Sequence, residues 1–105
     1  MASGILGQSA PAAATNTSVY TVPGSGTSRA VCNVSMVNTS GSPVTVRLAL
    51  AAAATPATSE YIEYDTILPG NGVLERGGLV IQTGKIVVAY ASAATVSVSV
   101  YGYEE

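Results

Sequence analysis

The sequence predicts an all-β protein: an antiparallel β-sandwich of about seven or eight short strands, with immunoglobulin-like or jelly-roll topology and an extended N-terminal arm. Two observations carry this prediction. Apolar and polar residues alternate along most of the chain, which is the period of a half-buried strand. Turn-forming Gly, Pro, Asn and Ser residues separate these segments at short intervals. The pattern does not choose between the two topologies.

Residues 1–17 are predicted to form the arm, ahead of a single sandwich domain over residues 18–105. The arm consists mainly of small uncharged residues, as in GILGQSAPAAATNT, and has few large apolar groups with which to dock on its own domain. We therefore expect it to lie on a neighbouring subunit, with Ile5 and Leu6 as its apolar anchor, adding to a sheet edge there. Folding back onto its own sandwich is the alternative.

The predicted strands cover residues 18–22, 29–38, 43–51, 60–64, 72–76, 79–82, 85–91 and 95–102. Three of them show the clearest alternation, and their expected inward residues are Ala30, Cys32, Val34 and Met36, then Val44, Val46, Leu48 and Leu50, then Val96, Val98 and Val100. Cys32, the only cysteine, is expected to be a buried thiol. Gly77-Gly78 is interpreted as a turn between two strands.

The segment SEYIEYD contains the only acidic cluster, formed by Glu60, Glu63 and Asp65. Strict alternation would place Glu63 and Asp65 on one face with Tyr61, and Tyr64 on the opposite face. Paired carboxylates in a cleft can serve acid-base catalysis or bind a metal. A solvated or interface-facing strand is the simpler interpretation, and it is the one we adopt.

Composition and charge argue against several classes of function. The net charge is -2, and the four basic residues are scattered along the chain, whereas nucleic-acid binding requires a basic stripe. The longest apolar run, Leu48 to Ala54, is far shorter than the about 20 residues of a membrane span. The N-terminus also lacks the pattern of a secretory signal peptide. We expect a protein that binds neither nucleic acid nor membrane and stays where it is made.

Catalytic and metal-binding constellations are also missing from the sequence. There is no histidine, and a single cysteine cannot form a zinc site or an intrachain disulfide. No serine lies in a strand-to-helix elbow of the kind that nucleophilic catalysis uses. We therefore predict that the protein is not an enzyme and holds no cofactor and no metal.

The small fraction of charged residues and the presence of six tyrosines together favour contact with other proteins. Charged residues make up 10% of the chain, against about 25% in a typical soluble domain, and hydrophobic residues make up 48%. Part of the surface is therefore expected to be covered by neighbouring chains. The six tyrosines are the only aromatic residues, and tyrosine is enriched at protein interfaces. The predicted partner-binding residues are Ile5, Leu6, Tyr61, Tyr64, Tyr101 and Tyr103.

Four successive segments resemble a family of small virion structural proteins from tailed bacteriophages: LGQSAPAAATNTSVYTVP, SRAVCNVSMVNTSGSPVTVRLAL, EYIEYDTILPGNGVLERGGL and VVAYASAATVSVSVYGYEE. The resemblance runs from Leu6 to Glu105. Its most specific pieces are Ser18 to Pro23, the strand with Tyr61-Ile62 and Tyr64-Asp65, and the Tyr-Ala-Ser segment before the closing Tyr-Gly. None of these pieces is a catalytic motif.

The resemblance implies a β-sandwich on the phage particle. The leading expectation is a capsid decoration or cement protein, made in the host cytoplasm and located on the particle surface. It would bind the major capsid protein or other virion proteins as a homo-oligomer, often a trimer. The alternative is a tail, collar or fibre-associated protein, with carbohydrate binding through Tyr61, Tyr64 and Asp65 as a further function. The absence of Trp, the usual sugar-stacking residue, weighs against that function.

Overall fold

The structure is a computed structural model that describes residues 2–105. Its strands are β1 (Ser3–Ser9), β2 (Thr17–Thr21), β3 (Arg29–Asn38), β4 (Val44–Ala51), β5 (Tyr61–Leu68), β6 (Val73–Gln82), β7 (Ile86–Ala91) and β8 (Val96–Glu104). One short 3-10 turn, Thr58–Glu60, precedes β5. The prediction of an all-β protein is confirmed.

Two four-stranded antiparallel sheets pack face to face. Sheet 1 has the order β1-β8-β3-β6, and sheet 2 has the order β2-β7-β4-β5. The predicted antiparallel sandwich is confirmed, whereas immunoglobulin-like or jelly-roll topology stays a prediction. Only β4 and β5 are both consecutive in sequence and paired with each other; every other connection passes from one sheet to the other.

The core lies between the sheets and contains the residues that the alternation predicted. Each inward residue of β3 and β8 in those sets is at most 1% exposed, and Leu50 of β4 packs against the same cluster. Cys32 is buried as expected, and this burial raises the pKa of its thiol. Strand alternation alone therefore identified the residues that β3, β4 and β8 contribute to the main core.

The N-terminal segment differs from our expectation, because residues 3–9 form strand β1 on the chain's own sandwich. β1 pairs with β8, from Ser3 opposite Tyr103 to Ser9 opposite Val98. Backbone hydrogen bonds to the otherwise open edge of β8 dock this strand, so it does not need many large side chains. Position 7 has to be glycine, because any Cβ there would collide with the carbonyl oxygen of Val19. The expected extended arm is therefore wrong for residues 2–17 of the single chain, which folds back onto its own sandwich, and Met1 lies outside the described residues.

The Gly77-Gly78 pair also differs from our expectation, since it lies inside one continuous strand, β6. The register between β3 and β6 shifts between Cys32 and Val34, opposite these glycines. Gly78 has φ 69°, a conformation that favours glycine. The resulting bulge changes which positions face inward, from Leu74 before it to Leu79 and Ile81 after it. The predicted number of strands agrees with the observed number only because two errors cancel: β1 was not predicted, and β6 was predicted as two separate strands.

Candidate interaction surfaces

One exposed apolar surface lies on the outer face of sheet 1, and we call it the tyrosine face. It consists of Ile5, Val31, Val80, Tyr101 and Tyr103. The register brings these residues together, because Ile5 is opposite Tyr101 while Val31 lies between Tyr103 and Val80. Ile5 is 65% exposed, Val80 64% and Tyr103 47%. Cross-strand neighbours of this kind form a continuous surface on a sheet.

The alternation of β8 and β3 explains why the tyrosine face exists. In β8 the valines point inward, so Tyr101 and Tyr103 point outward together with Ser97 and Ser99. In β3 the same argument turns Val31 outward. The faces are fixed because a slip of one residue would exchange the core residues for the outward ones.

Polar groups surround the tyrosine face and form hydrogen bonds with one another. The hydroxyl of Tyr101 donates to Glu75 at 3.4 Å, and the amide of Gln8 donates to the hydroxyl of Ser99 at 3.2 Å. The Asn33 side chain accepts a 3.1 Å hydrogen bond from the backbone N–H of Gly78 at the bulge. The surface therefore has an apolar centre and a polar margin, as protein interfaces do.

A second group of aromatic residues lies on the outer face of sheet 2, and we call it the arginine cluster. It consists of Arg47, Tyr61, Tyr64, Asp65 and Tyr90. The Arg47 guanidinium lies 4.3 Å from the ring centroids of both Tyr64 and Tyr90, and its Nε donates to Asp65 at 2.6 Å. The Tyr61 and Tyr64 rings meet edge to face, with centroids 4.9 Å apart. Cation–π contacts and the carboxylate thus hold Arg47 in one position.

An irregularity in β5 builds the arginine cluster and corrects our assignment of faces in that strand. The register between β4 and β5 shifts on both sides of Leu48, and Asp65 has φ 50°. Strict alternation therefore fails, and Tyr64 and Asp65 both lie beside Arg47. Glu63 instead reaches Arg76 on sheet 1.

The acidic residues of SEYIEYD do not form one site. Glu60 pairs with Lys85 at 3.6 Å, Glu63 with Arg76 and Asp65 with Arg47. The pKa of Glu63 is lowered mainly by the hydrogen bond from Thr66 and further by Arg76. The pKa of Glu60 is lowered by the backbone N–H groups of Ala57 and Ala52. Separate local partners therefore stabilise the ionised forms of Glu60 and Glu63.

Every basic side chain in residues 2–105 takes part in an ion pair. Besides the three pairs just described, Arg29 lies 3.5 Å from Glu105. Both outer faces therefore present little uncompensated positive charge to a partner. Within the same residues, no group of three or more His, Cys, Asp or Glu side chains is placed to hold a metal ion. None of the described segments forms a helix long and apolar enough to cross a membrane.

A shallow open groove of about 290 Å³ lies at one end of sheet 2. It is lined by Pro43, Val44, Thr45, Ile67 and Ser92. Ile67 is 70% exposed, and the Ser92 hydroxyl accepts a 3.0 Å hydrogen bond from the backbone N–H of Thr45. The groove has no ionisable side chain in its lining.

The six predicted partner-binding residues divide among three environments. Ile5, Tyr101 and Tyr103 come together on the tyrosine face. Leu6 turns inward and packs against the core, so only half of the expected apolar anchor is available to a partner. Tyr61 and Tyr64 lie on the opposite side of the molecule, in the arginine cluster.

Sequence reasoning missed four residues of these two surfaces: Val31, Val80, Arg47 and Tyr90. The outward direction of Val31 follows from the alternation of β3, but its meeting with Tyr103 and Val80 depends on the pairing of β3 with both β6 and β8. The stacking of Arg47 depends likewise on its position opposite Tyr90 in β7.

Comparisons of the chain with protein-family models, with curated proteins and with solved structures found no match.

Proposed function

We propose that the protein is a non-enzymatic structural protein of a tailed-phage virion, which decorates the capsid by binding the major capsid protein or other virion proteins as an oligomer. The sequence resemblance supports the virion assignment. The tyrosine face is the observation that carries the binding role, because it is a continuous exposed apolar surface on a four-stranded sheet.

The composition of the tyrosine face suits packing against another protein. Tyr101 and Tyr103 provide large contact areas with few rotatable bonds, and tyrosine is common among residues that dominate binding energy. The outward Ser and Val residues around them lose little side-chain entropy when a neighbour covers them. In a particle that holds many copies, such modest contacts add up.

The ion pairs favour a neutral protein partner over a polyanion. Because each basic side chain of the described residues already has a carboxylate beside it, a phosphate-rich partner would have to separate these pairs. A largely uncharged protein surface needs no such exchange and can cover the tyrosine face directly.

The geometry of the arginine cluster weighs against the carbohydrate-binding alternative. Arg47 already lies against the ring of Tyr64, and Asp65 already accepts its hydrogen bond. A sugar that stacked on this ring face would have to displace Arg47 from two tyrosine rings and a carboxylate. The cluster therefore fits a structural role within sheet 2.

The test is binding to purified particles that lack the protein, with bound copies counted and located by electron microscopy. Three proteins are compared: the native chain, the double variant Val80→Ser/Tyr103→Ser on the tyrosine face, and the matched control Ile67→Ser on sheet 2, where the side chain is also exposed. Thermal unfolding of each verifies that the fold is intact.

We expect many copies of the native chain and of the control across the shell, and at least about a tenfold weaker binding of the double variant. A few copies at one vertex would move the protein to the neck or tail. Equal binding of all three proteins would overturn the role of the tyrosine face, and no binding to any particle would overturn the virion assignment.

A further inference from the structure

Strand β1 lies at the edge of sheet 1 and contributes little to the core. Leu6 is its one side chain packed against the main cluster. Ser3, Gly4, Ile5 and Gln8 are exposed. Removing β1 would therefore leave most of the sandwich interior in place, which is not true of β3, β4, β7 or β8.

β1 is held mainly by backbone hydrogen bonds to β8 and by two further hydrogen bonds between Ala2 and Glu104. β1 pairs with β8 along its length. At its first residues, the Ala2 N–H donates to a Glu104 carboxylate oxygen at 3.1 Å, and the Glu104 N–H donates to the Ala2 carbonyl at 2.9 Å. An identical strand from a second copy would make the same hydrogen bonds, because they require only this edge and this sequence.

The connection from β1 to β2 holds a strained residue. It spans residues 10–16 and carries the chain from sheet 1 to sheet 2. Ala14 has φ 53° there, a left-handed conformation that costs free energy for any residue other than glycine. Its N–H donates to the Ala91 carbonyl at 2.8 Å, which holds the strained turn closed. An extended connection would release this strain.

We propose that β1 exchanges between copies of this chain, so that β1 of one copy pairs with β8 of a second copy in the position it occupies in its own sandwich. Exchange of an identical element is a low-cost route to oligomers, because it preserves the native contacts. The seven connecting residues span about 23 Å when extended, which exceeds the 20 Å shortest dimension of the molecule. This inference does not depend on the virion role.

We call the form in which β1 pairs with its own β8 the closed form, and the form in which it pairs with β8 of a second copy the exchanged form. The protein concentration decides between them. In the closed form, the connection keeps β1 close to its own β8 at an effective concentration in the millimolar range. Exchange therefore becomes appreciable where copies are crowded to similar concentrations. Copies packed side by side on a larger assembly meet that condition.

The test uses a disulfide that shows whether β1 is paired with β8 of its own chain or with β8 of a second copy. Gln8 and Ser99 are directly opposite and their side chains touch, so the variant Gln8→Cys/Ser99→Cys can form a bond across this pair. Equal amounts of ¹⁵N-labelled and unlabelled variant are mixed, unfolded together, refolded from micromolar to millimolar concentration and then oxidised. Mass spectrometry of the linked peptide counts the species that carry one labelled half.

Three controls accompany this measurement. Ser35→Cys/Ser99→Cys places the pair between β3 and β8, both in the body of the sandwich, and must give linked peptides from single chains. Gln8→Cys alone measures random linkage through an exposed cysteine. Ala14→Gly, added to the reporting pair, removes the strain of the closed connection without touching β1 or β8.

We expect mixed-label peptides that increase with protein concentration and far exceed those of both cysteine controls. The Ala14→Gly change should lower the mixed fraction by about fivefold or more, because it stabilises the closed form. Light scattering should show a dimer of twice the monomer mass or a larger closed ring. Linked peptides from single chains alone, up to millimolar concentration, would overturn the proposal.

Discussion

The phenol of Tyr20 donates a 2.5 Å hydrogen bond to the carboxylate of Glu104. Tyr20 lies on β2 in sheet 2 and Glu104 on β8 in sheet 1, so this bond joins the two sheets. The other Glu104 oxygen accepts the N–H of Ala2. One carboxylate therefore connects both sheets and the start of β1, and its ionisation should affect all three.

Replacing Tyr20 by Phe should lower the melting temperature by several degrees. The ring would still fill its buried position, but Glu104 would lose its phenolic donor. Thermal unfolding followed by circular dichroism measures the change. Tyr103→Phe is the matched control, because Tyr103 is 47% exposed. The melting temperature of this variant should stay near that of the native protein. Equal values for both variants would contradict this role of Tyr20.

Acid should weaken the docking of β1. The pKa of Glu104 is lowered below its ordinary value of 4.5, first by the hydrogen bond from Tyr20 and then by the one from Ala2. Because the folded-state pKa is the lower one, its contribution to stability is full above the unfolded pKa and is lost as the pH falls through the folded pKa. Amide hydrogen exchange in residues 3–5 should therefore accelerate below about pH 4, relative to amides of β3, after correction for the intrinsic rate. Unchanged protection would refute this.

Asn38 should be one of the least replaceable polar residues. It is fully buried. Its amide nitrogen donates to the carbonyl oxygens of Ser42, Leu68 and Pro69. Its side-chain oxygen accepts hydrogen bonds from Ser40 and Thr95. Asn38→Ala should cost about 3 kcal/mol of unfolding free energy, because several buried groups lose their partner. Urea unfolding measures it.

The isosteric change Asn38→Asp separates hydrogen bonding from packing. Its carboxylate would face the carbonyl oxygens that the amide now binds, so it should destabilise the fold more at pH 7 than at low pH. Asn33→Asp is the matched control, because in the described residues the Asn33 side chain is used only as an acceptor, of the Gly78 N–H, whereas the Asn38 side chain also donates. Similar losses at both positions would show that the network around Asn38 does not have the importance we give it.

Replacing Gly7 by Ala should loosen β1 without unfolding the rest. The added Cβ would meet the backbone oxygen of Val19 and lie 3.2 Å from the Cβ of Tyr20, neither of which is a flexible group. We expect a loss of about 2 kcal/mol and faster proteolysis within residues 2–16. Gly24→Ala, where nothing lies within 4 Å of the new Cβ, should leave both measurements unchanged. A native digestion pattern for Gly7→Ala would contradict the close approach.

The parts of the fold that sequence predicted are those governed by local alternation. In β3 and β8, each inward residue is two positions from the next, so Cys32 and Val98 could be placed without knowing their partners. The failures involve the backbone. β1 docks by hydrogen bonds that small residues permit, and the bulges at Gly78 and Asp65 change the faces of β6 and β5 without a clear signal in the alternation.

The candidate surface was predictable only in part for a related reason. Outward exposure of Tyr101 and Tyr103 follows from the valines of β8. Their proximity to Ile5 and Val80 follows from pairing between strands that are far apart in sequence. The sequence contains no local pattern that sets that register, so the tyrosine face could be assembled only from the three-dimensional structure.

The order of strands in sheet 1 also has a consequence for synthesis on the ribosome. β8 lies between β1 and β3, yet it is translated after all the other strands. Until β8 leaves the exit tunnel, β1 has no partner in its sheet and β3 has only β6. The nascent chain must therefore carry β1 unpaired, and the valine-rich strand β3 with one open edge, to a late stage, when they are exposed to other nascent chains in polysomes. Growing chains on one messenger would meet at the close range at which strands can pair between molecules.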